Sequence, residues 1–122
     1  MLRVGFLPSD FNPMMLMLGE AEDLRRLAAS LRRFAVDRSE VAIEQSCVSL
    51  IASAGPLGIH PASEPGAFHW RLDAAHAERF ADQIETLVEP SRLAGSEILE
   101  CAIGEDVPVK VSRGEYTDDF LR

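Results

Sequence analysis

The sequence predicts an α+β protein, an antiparallel sheet with two helices on one face, arising from an internal ββαββ duplication. Three observations predict it. A helical apolar stripe, Leu24, Leu27, Ala28, Leu31, Phe34 and Ala35, returns 53 residues later as Ala77, Phe80, Ala81, Ile84, Leu87 and Val88. Each stripe follows two short β-like runs joined by a Pro-containing turn, and Gly5-Phe6-Leu7-Pro8 is echoed by Gly58-Ile59-His60-Pro61. Each stripe is then followed by Ser-Glu and a further apolar run, at Ser39-Glu40 and Ser96-Glu97.

In chain order, Leu2 to Leu7 and Met14 to Leu18 are predicted strands flanking the turn Ser9-Asp10-Phe11-Asn12-Pro13. The first helix starts near Gly19-Glu20 and ends around Val36-Asp37. Glu20, Glu22 and Asp23 stand in its first turn and Arg32 and Arg33 stand late, complementing the helix dipole. Strands are predicted from Ser39 to Glu44 and from Val48 to Ser53. The second half repeats the series, with strands from Leu57 to His60 and Ala67 to Leu72, and a helix from its N-cap Asp73 to a stop at Pro90. Strands from Ser96 to Cys101 and Val107 to Ser112 follow, the last alternating valines with Pro108, Lys110 and Ser112 as an edge strand does. One domain is expected over residues 1–113, built of pseudo-repeats of about 1–54 and 55–113, with residues 114–122 as an acidic C-terminal tail.

Length and composition bound the function. At 122 residues with 47% apolar content, the chain can bury a core without staples. No apolar run approaches the roughly 20 residues that span a bilayer, and the N-terminus lacks the pattern of a signal peptide. No membrane association is therefore expected, and the cytoplasm is the expected location. A net charge of −8, from 20 acidic and 12 basic residues, disfavours nucleic acid as a partner and favours a basic protein surface. Cys47 and Cys101 lack metal-like spacing and read as buried thiols.

Candidate surfaces come from differences between the two halves. At an offset of 54, Met14, Leu16 and Leu18 align with Phe68, Trp70 and Leu72 as core-facing positions. Met15 and Met17 then face outward where the second half carries His69 and Arg71, suggesting a methionine surface covered by a partner or a second copy, or equally by the N-terminal strand or C-terminal tail of the same chain. Arg25, Arg26, Arg32 and Arg33 form a basic strip on the first helix, replaced on the second by Glu78, Arg79, Asp82 and Glu85. The strip could receive an anion. It could equally be a solvated face in which Glu22 supports Arg25 and Arg26.

His60, His69 and His76 lie close in sequence, but with a turn at 61–66 His60 falls opposite Ala67 and His69 opposite Gly58. No carboxylate stands at a metal-ligand spacing beside them, so neither a metal nor a cofactor is expected. No serine occupies a nucleophile elbow, and no residue set suggests catalysis. The expected function is that of a small acidic non-enzymatic binding protein acting through a protein–protein surface. The alternative is a small-ligand binder or enzyme using the seam between the halves, with His69, Trp70 and Arg71 nearest to it.

Residues Leu16 to Glu44, with Leu18-Gly19 followed by Leu24, Leu27-Ala28, Leu31, Phe34-Ala35 and a Ser-Glu strand, resemble small α+β bacterial toxin-immunity proteins. The resemblance implies a stoichiometric inhibitor that covers a toxin, with no catalytic residues. A basic partner met by electrostatic steering accords with it.

Overall fold

The structure, a computed structural model, describes residues 2–7, 14–43, 48–52, 57–89, 95–100 and 107–113. Its elements are β1 (Arg3–Leu7), β2 (Met14–Leu18), α1 (Ala21–Asp37), β3 (Val41–Ala42), β4 (Val48–Ile51), β5 (Gly58–Pro61), β6 (Phe68–Arg71), α2 (Ala74–Leu87), β7 (Gly95–Leu99) and β8 (Val109–Arg113). The protein is α+β, and the order ββαββ occurs twice. Cys47, Cys101, the turns at 9–13 and 104–106, the stop at Pro90 and the acidic tail lie outside the described residues.

The single antiparallel sheet expected from the sequence is replaced by two mixed sheets of four strands, ordered β1-β2-β8-β7 and β3-β4-β6-β5. The flanking pairs β1/β2, β7/β8, β3/β4 and β5/β6 are antiparallel. The central pairs β2/β8 and β4/β6 are parallel. Each sheet therefore takes its first hairpin from one half of the chain and its second strand pair from the other. Parallel neighbours need a long crossover, and here an exchange between halves supplies it.

Both helices start as their sequences dictate. At α1 the Asp23 carboxylate accepts the Glu20 backbone N–H at 2.9 Å, within a reciprocal capping box. At α2 the Asp73 carboxylate accepts the His76 backbone N–H at 2.7 Å. The two N-caps stand 53 residues apart, in step with the two stripes. Gly19 has to be glycine, because a Cβ there would approach the Asp23 Cβ to 2.9 Å. α1 ends at Arg38 in the left-handed conformation, its N–H donating to the Phe34 carbonyl while its guanidinium lies 5.2 Å over the Phe34 ring.

One core cluster joins Leu24, Leu27, Leu31 and Phe34 of α1, Phe80, Ala81, Ile84 and Leu87 of α2, and apolar residues from both sheets. Trp70 and Phe80 stack at 5.7 Å, and Phe6 of one sheet meets Phe68 of the other at 5.2 Å. Large and small side chains are traded between equivalent positions. Leu24 corresponds to Ala77 and Leu27 to Phe80, and all four are buried.

α2 is also tied to the first sheet by its polar residues. The Arg79 guanidinium donates to the Glu100 carbonyl at 2.9 Å, Gln83 donates to the Ile98 carbonyl at 3.3 Å, and Arg113 donates to the Leu87 carbonyl at 2.8 Å. The last of these satisfies a carbonyl in the final helical turn.

Leu31 and Ile84 are fully buried at equivalent positions of the two stripes. Leu31→Ala and Ile84→Ala are each expected to lower unfolding free energy by roughly 2–5 kcal/mol in chemical denaturation. A loss confined to one of the two would show that the halves do not share this core.

The Asp73 carboxyl is held below its ordinary value, chiefly by the His76 backbone N–H. Burial opposes this, and the His76 side chain and the Arg38 charge add to it. A carboxyl whose folded pKa is depressed contributes stability above its unfolded pKa of about 3.9, lost as pH falls through the folded value. Asp73→Asn keeps a capping oxygen but cannot titrate, so its stability deficit against wild type should shrink on acidification from about pH 5 toward pH 2. A deficit constant across that window would remove Asp73 from the acid response.

Candidate functional site

Two surfaces gather the residues that the sequence singled out. The first is the outer side of the helix pair. Arg32 of α1 reaches across to α2, where its Nε donates to Glu85 at 3.0 Å, one terminal nitrogen donates to Asp82 at 2.7 Å, and the other lies 3.4 Å from Glu78. These carboxylates hold the guanidinium pKa above its already high value, with Glu85 contributing most and Asp82 next. Arg32 is thus a crosslink between helices and no longer an open anion receptor.

The remaining arginines of the strip diverge. Arg26 turns back along its own helix, 2.5 Å from Asp23 and 3.7 Å from Glu22. Arg33 is exposed, and Arg25 is exposed at the rim of a groove between the helices. That groove encloses about 580 Å³ and is lined by Arg25, Ala29, Arg32, Asp82, Glu85, Thr86, Val88 and Glu89. Val36 is 79% exposed, a large apolar side chain in water at the end of α1.

Sequence patterning found the arginines and missed what they are for. The signal was present: Arg25 and Arg32 stand at the 53-residue offset from Glu78 and Glu85. Equivalent positions of opposite sign mark helices that face each other.

The second surface is the outer face of the β3-β4-β6-β5 sheet. His60 stands directly opposite His69, and His69 opposite Ser49. In the next row Arg71 lies between Gly58 and Ile51. The expected diagonal placement of His60 and His69 is corrected, because the hairpin closes with the Ala62 N–H donating to the Ala67 carbonyl, which seats Pro61 opposite Phe68. His76 is elsewhere, its Nδ1 2.8 Å from the Asp73 carboxylate and its ring edge-on to Phe80. Among the described residues, no three His, Cys, Asp or Glu side chains gather as metal ligands.

The methionine surface is also corrected. Met15 and Met17 are 0% exposed and belong to the core cluster. The true offset of the β2/β6 alignment is 53, the same as for the helices, so Met15 corresponds to Phe68 and Met17 to Trp70. A one-residue slip exchanges the faces of a strand. Leu16 and Leu18, expected inside the core, occupy the opposite face and are buried there at 1% and 2% exposure. Trp70 is likewise a core residue, on the opposite side of its strand from His69 and Arg71.

No described helix is long and apolar enough to cross a membrane. Comparison with protein families, curated proteins and solved structures gave no match to this chain.

The Arg32 crosslink makes a measurable prediction. Arg32→Glu places like charges against Glu78, Asp82 and Glu85 and is expected to cost on the order of 1 kcal/mol, less at high salt, as for partly exposed pairs. Adding Glu85→Arg should recover part of the loss in a double-mutant cycle. Additive losses would show that the two side chains do not communicate.

Proposed function

We propose that this protein is a small acidic, non-enzymatic binding protein that engages a basic protein segment along the outer side of its helix pair. The α1/α2 groove supports this reading best. One guanidinium, Arg32, is shared among three carboxylates, and Glu89 adds a fourth at the exposed rim. Against Arg25 and Arg32 these four carboxylates leave negative charge in excess, and Ala29 in the same groove and Val36, four residues beyond Arg32 on α1, are exposed apolar side chains. Basic residues on a partner would offset that excess while apolar ones cover Val36, a combination that speeds encounter and then holds the complex. The chain's overall charge of −8 favours the same partner at longer range. Under the resemblance of residues 16–44 to toxin-immunity proteins, the partner would be a toxin held in a stoichiometric complex.

Affinity capture from source-cell lysate, with wild type beside the double variant Val36→Arg/Glu89→Lys, tests this. Wild type should retain one basic protein in stoichiometric amount, released as salt rises from about 50 to 500 mM because surface charge pairing is screened. The variant should retain far less. Equal retention on both proteins, or no stoichiometric partner, would refute the assignment to this surface.

A further inference from the structure

We propose that the outer face of the β3-β4-β6-β5 sheet binds a phosphate group through Arg71, His69 and Ser49, at the junction of the two halves. β4 comes from the first half and β6 from the second, and their parallel pairing sets Ser49 beside His69. Arg71 follows His69 by two positions, so both project from the same face of β6. Across the hairpin, His60 adds a second imidazole opposite His69.

Three observations favour an anion here. The Arg71 Nε is buried and has no hydrogen-bond partner, a donor that an oxyanion oxygen would satisfy. Gly58 stands opposite Arg71 across the hairpin and contributes no side chain to this face. In a chain of net charge −8, no carboxylate among the described residues occupies a paired position of this face, which carries Ala42, Ser49, Ile51, Gly58, His60, His69 and Arg71. The equivalent positions of the other sheet hold Leu16 and Leu18 in place of His69 and Arg71, with Lys110 and Arg3 on the strands beside them, so the pairing of an arginine with two imidazoles is particular to this face.

Phosphate fits the donor set better than carboxylate. An Arg fork, an imidazole N–H and a serine hydroxyl arrive from two neighbouring strands and present more donors than two coplanar oxygens can use, whereas a tetrahedral group offers three or four oxygens. An imidazole supplies an N–H donor whether or not it is protonated. The phosphate could be free or carried by a small phosphomonoester.

Titration with inorganic phosphate and with glycerol phosphate, followed by amide and imidazole NMR shifts at constant ionic strength, separates these sources. Saturable shifts at His69, Arg71 and Ser49 with either compound are expected, and the tighter of the two identifies the form of ligand preferred. Arg71→Gln and His69→Gln should each weaken binding by roughly tenfold, as loss of a charge-assisted or polar contact does. Arg33→Gln on the exposed side of α1 should leave binding unchanged. Because phosphate also stabilises folded proteins without binding, its rise in melting temperature over chloride of equal ionic strength should be larger for wild type than for Arg71→Gln. Shifts that fail to saturate, equal response to acetate, or full binding by a folded Arg71→Gln protein would overturn the proposal.

Discussion

The parallel pairing of β2 with β8 and of β4 with β6 is the constraint on which the rest of the structure depends. In both sheets the two central strands come from opposite halves of the chain. Neither half builds a four-stranded sheet from its own strands. The halves are therefore obliged to share one core, and the single cluster running from Met15 and Met17 through both helices to Trp70 and Val111 is that obligation met. Burial of this apolar surface is the main driving force available to hold the exchange in place.

An arrangement close to two-fold forces equivalent residues to meet near the axis, and a side chain can rarely pack well against its own copy. Two kinds of difference resolve the conflict. In the core, equivalent positions differ in size, as with Leu24 and Ala77 or Leu27 and Phe80. At the helix surface, positive faces negative, as with Arg32 and Glu85, which stand 53 residues apart in sequence and 2.9 Å apart in space. Two identical halves would set arginine against arginine. The sequence differences that first look like divergence over a conserved interior are thus conditions for the interior to assemble.

The helices were legible in sequence because a 3.6-residue period and an N-cap agree over residues 20–37 and 73–87, with an acidic first turn added in α1. Hairpins were legible to within a residue or two, since turn chemistry is local. Sheet order was not, because parallel pairing between segments as distant as β2 and β8 leaves no local mark. The facing of β2 failed for a related reason. Met14 to Leu18 is apolar at every position and buried from Met15 onward, so alternation carries no information there. Only the offset shared with the helices could have fixed the register, and an offset of 54 read from Leu18 and Leu72 inverted it. The candidate sites inherited that inversion: Met15 and Met17 moved into the core, while His69 and Arg71 kept their outward face.

The same charge asymmetry bears on what can associate with what. If α1 of one molecule were to pack on α1 of another in the manner of the α1/α2 pair, Arg25 and Arg32 would meet their own copies. An α2/α2 pairing would crowd Glu78, Asp82 and Glu85 together. Like charges brought within a few ångströms are unfavourable in either case. Helix pairing is consequently selected as α1 with α2, and self-association through this face is disfavoured unless it preserves that pairing. A foreign partner on the outer side of the helices does not meet the restriction, because it need not break the Arg32 crosslink to reach Val36 and Glu89. The outer sheet face escapes it too, since Arg71 and His69 have no charged counterparts at Leu18 and Leu16. The asymmetry that secures the fold thus leaves two chemically distinct surfaces, acidic beside the helices and cationic across the junction of β4 and β6.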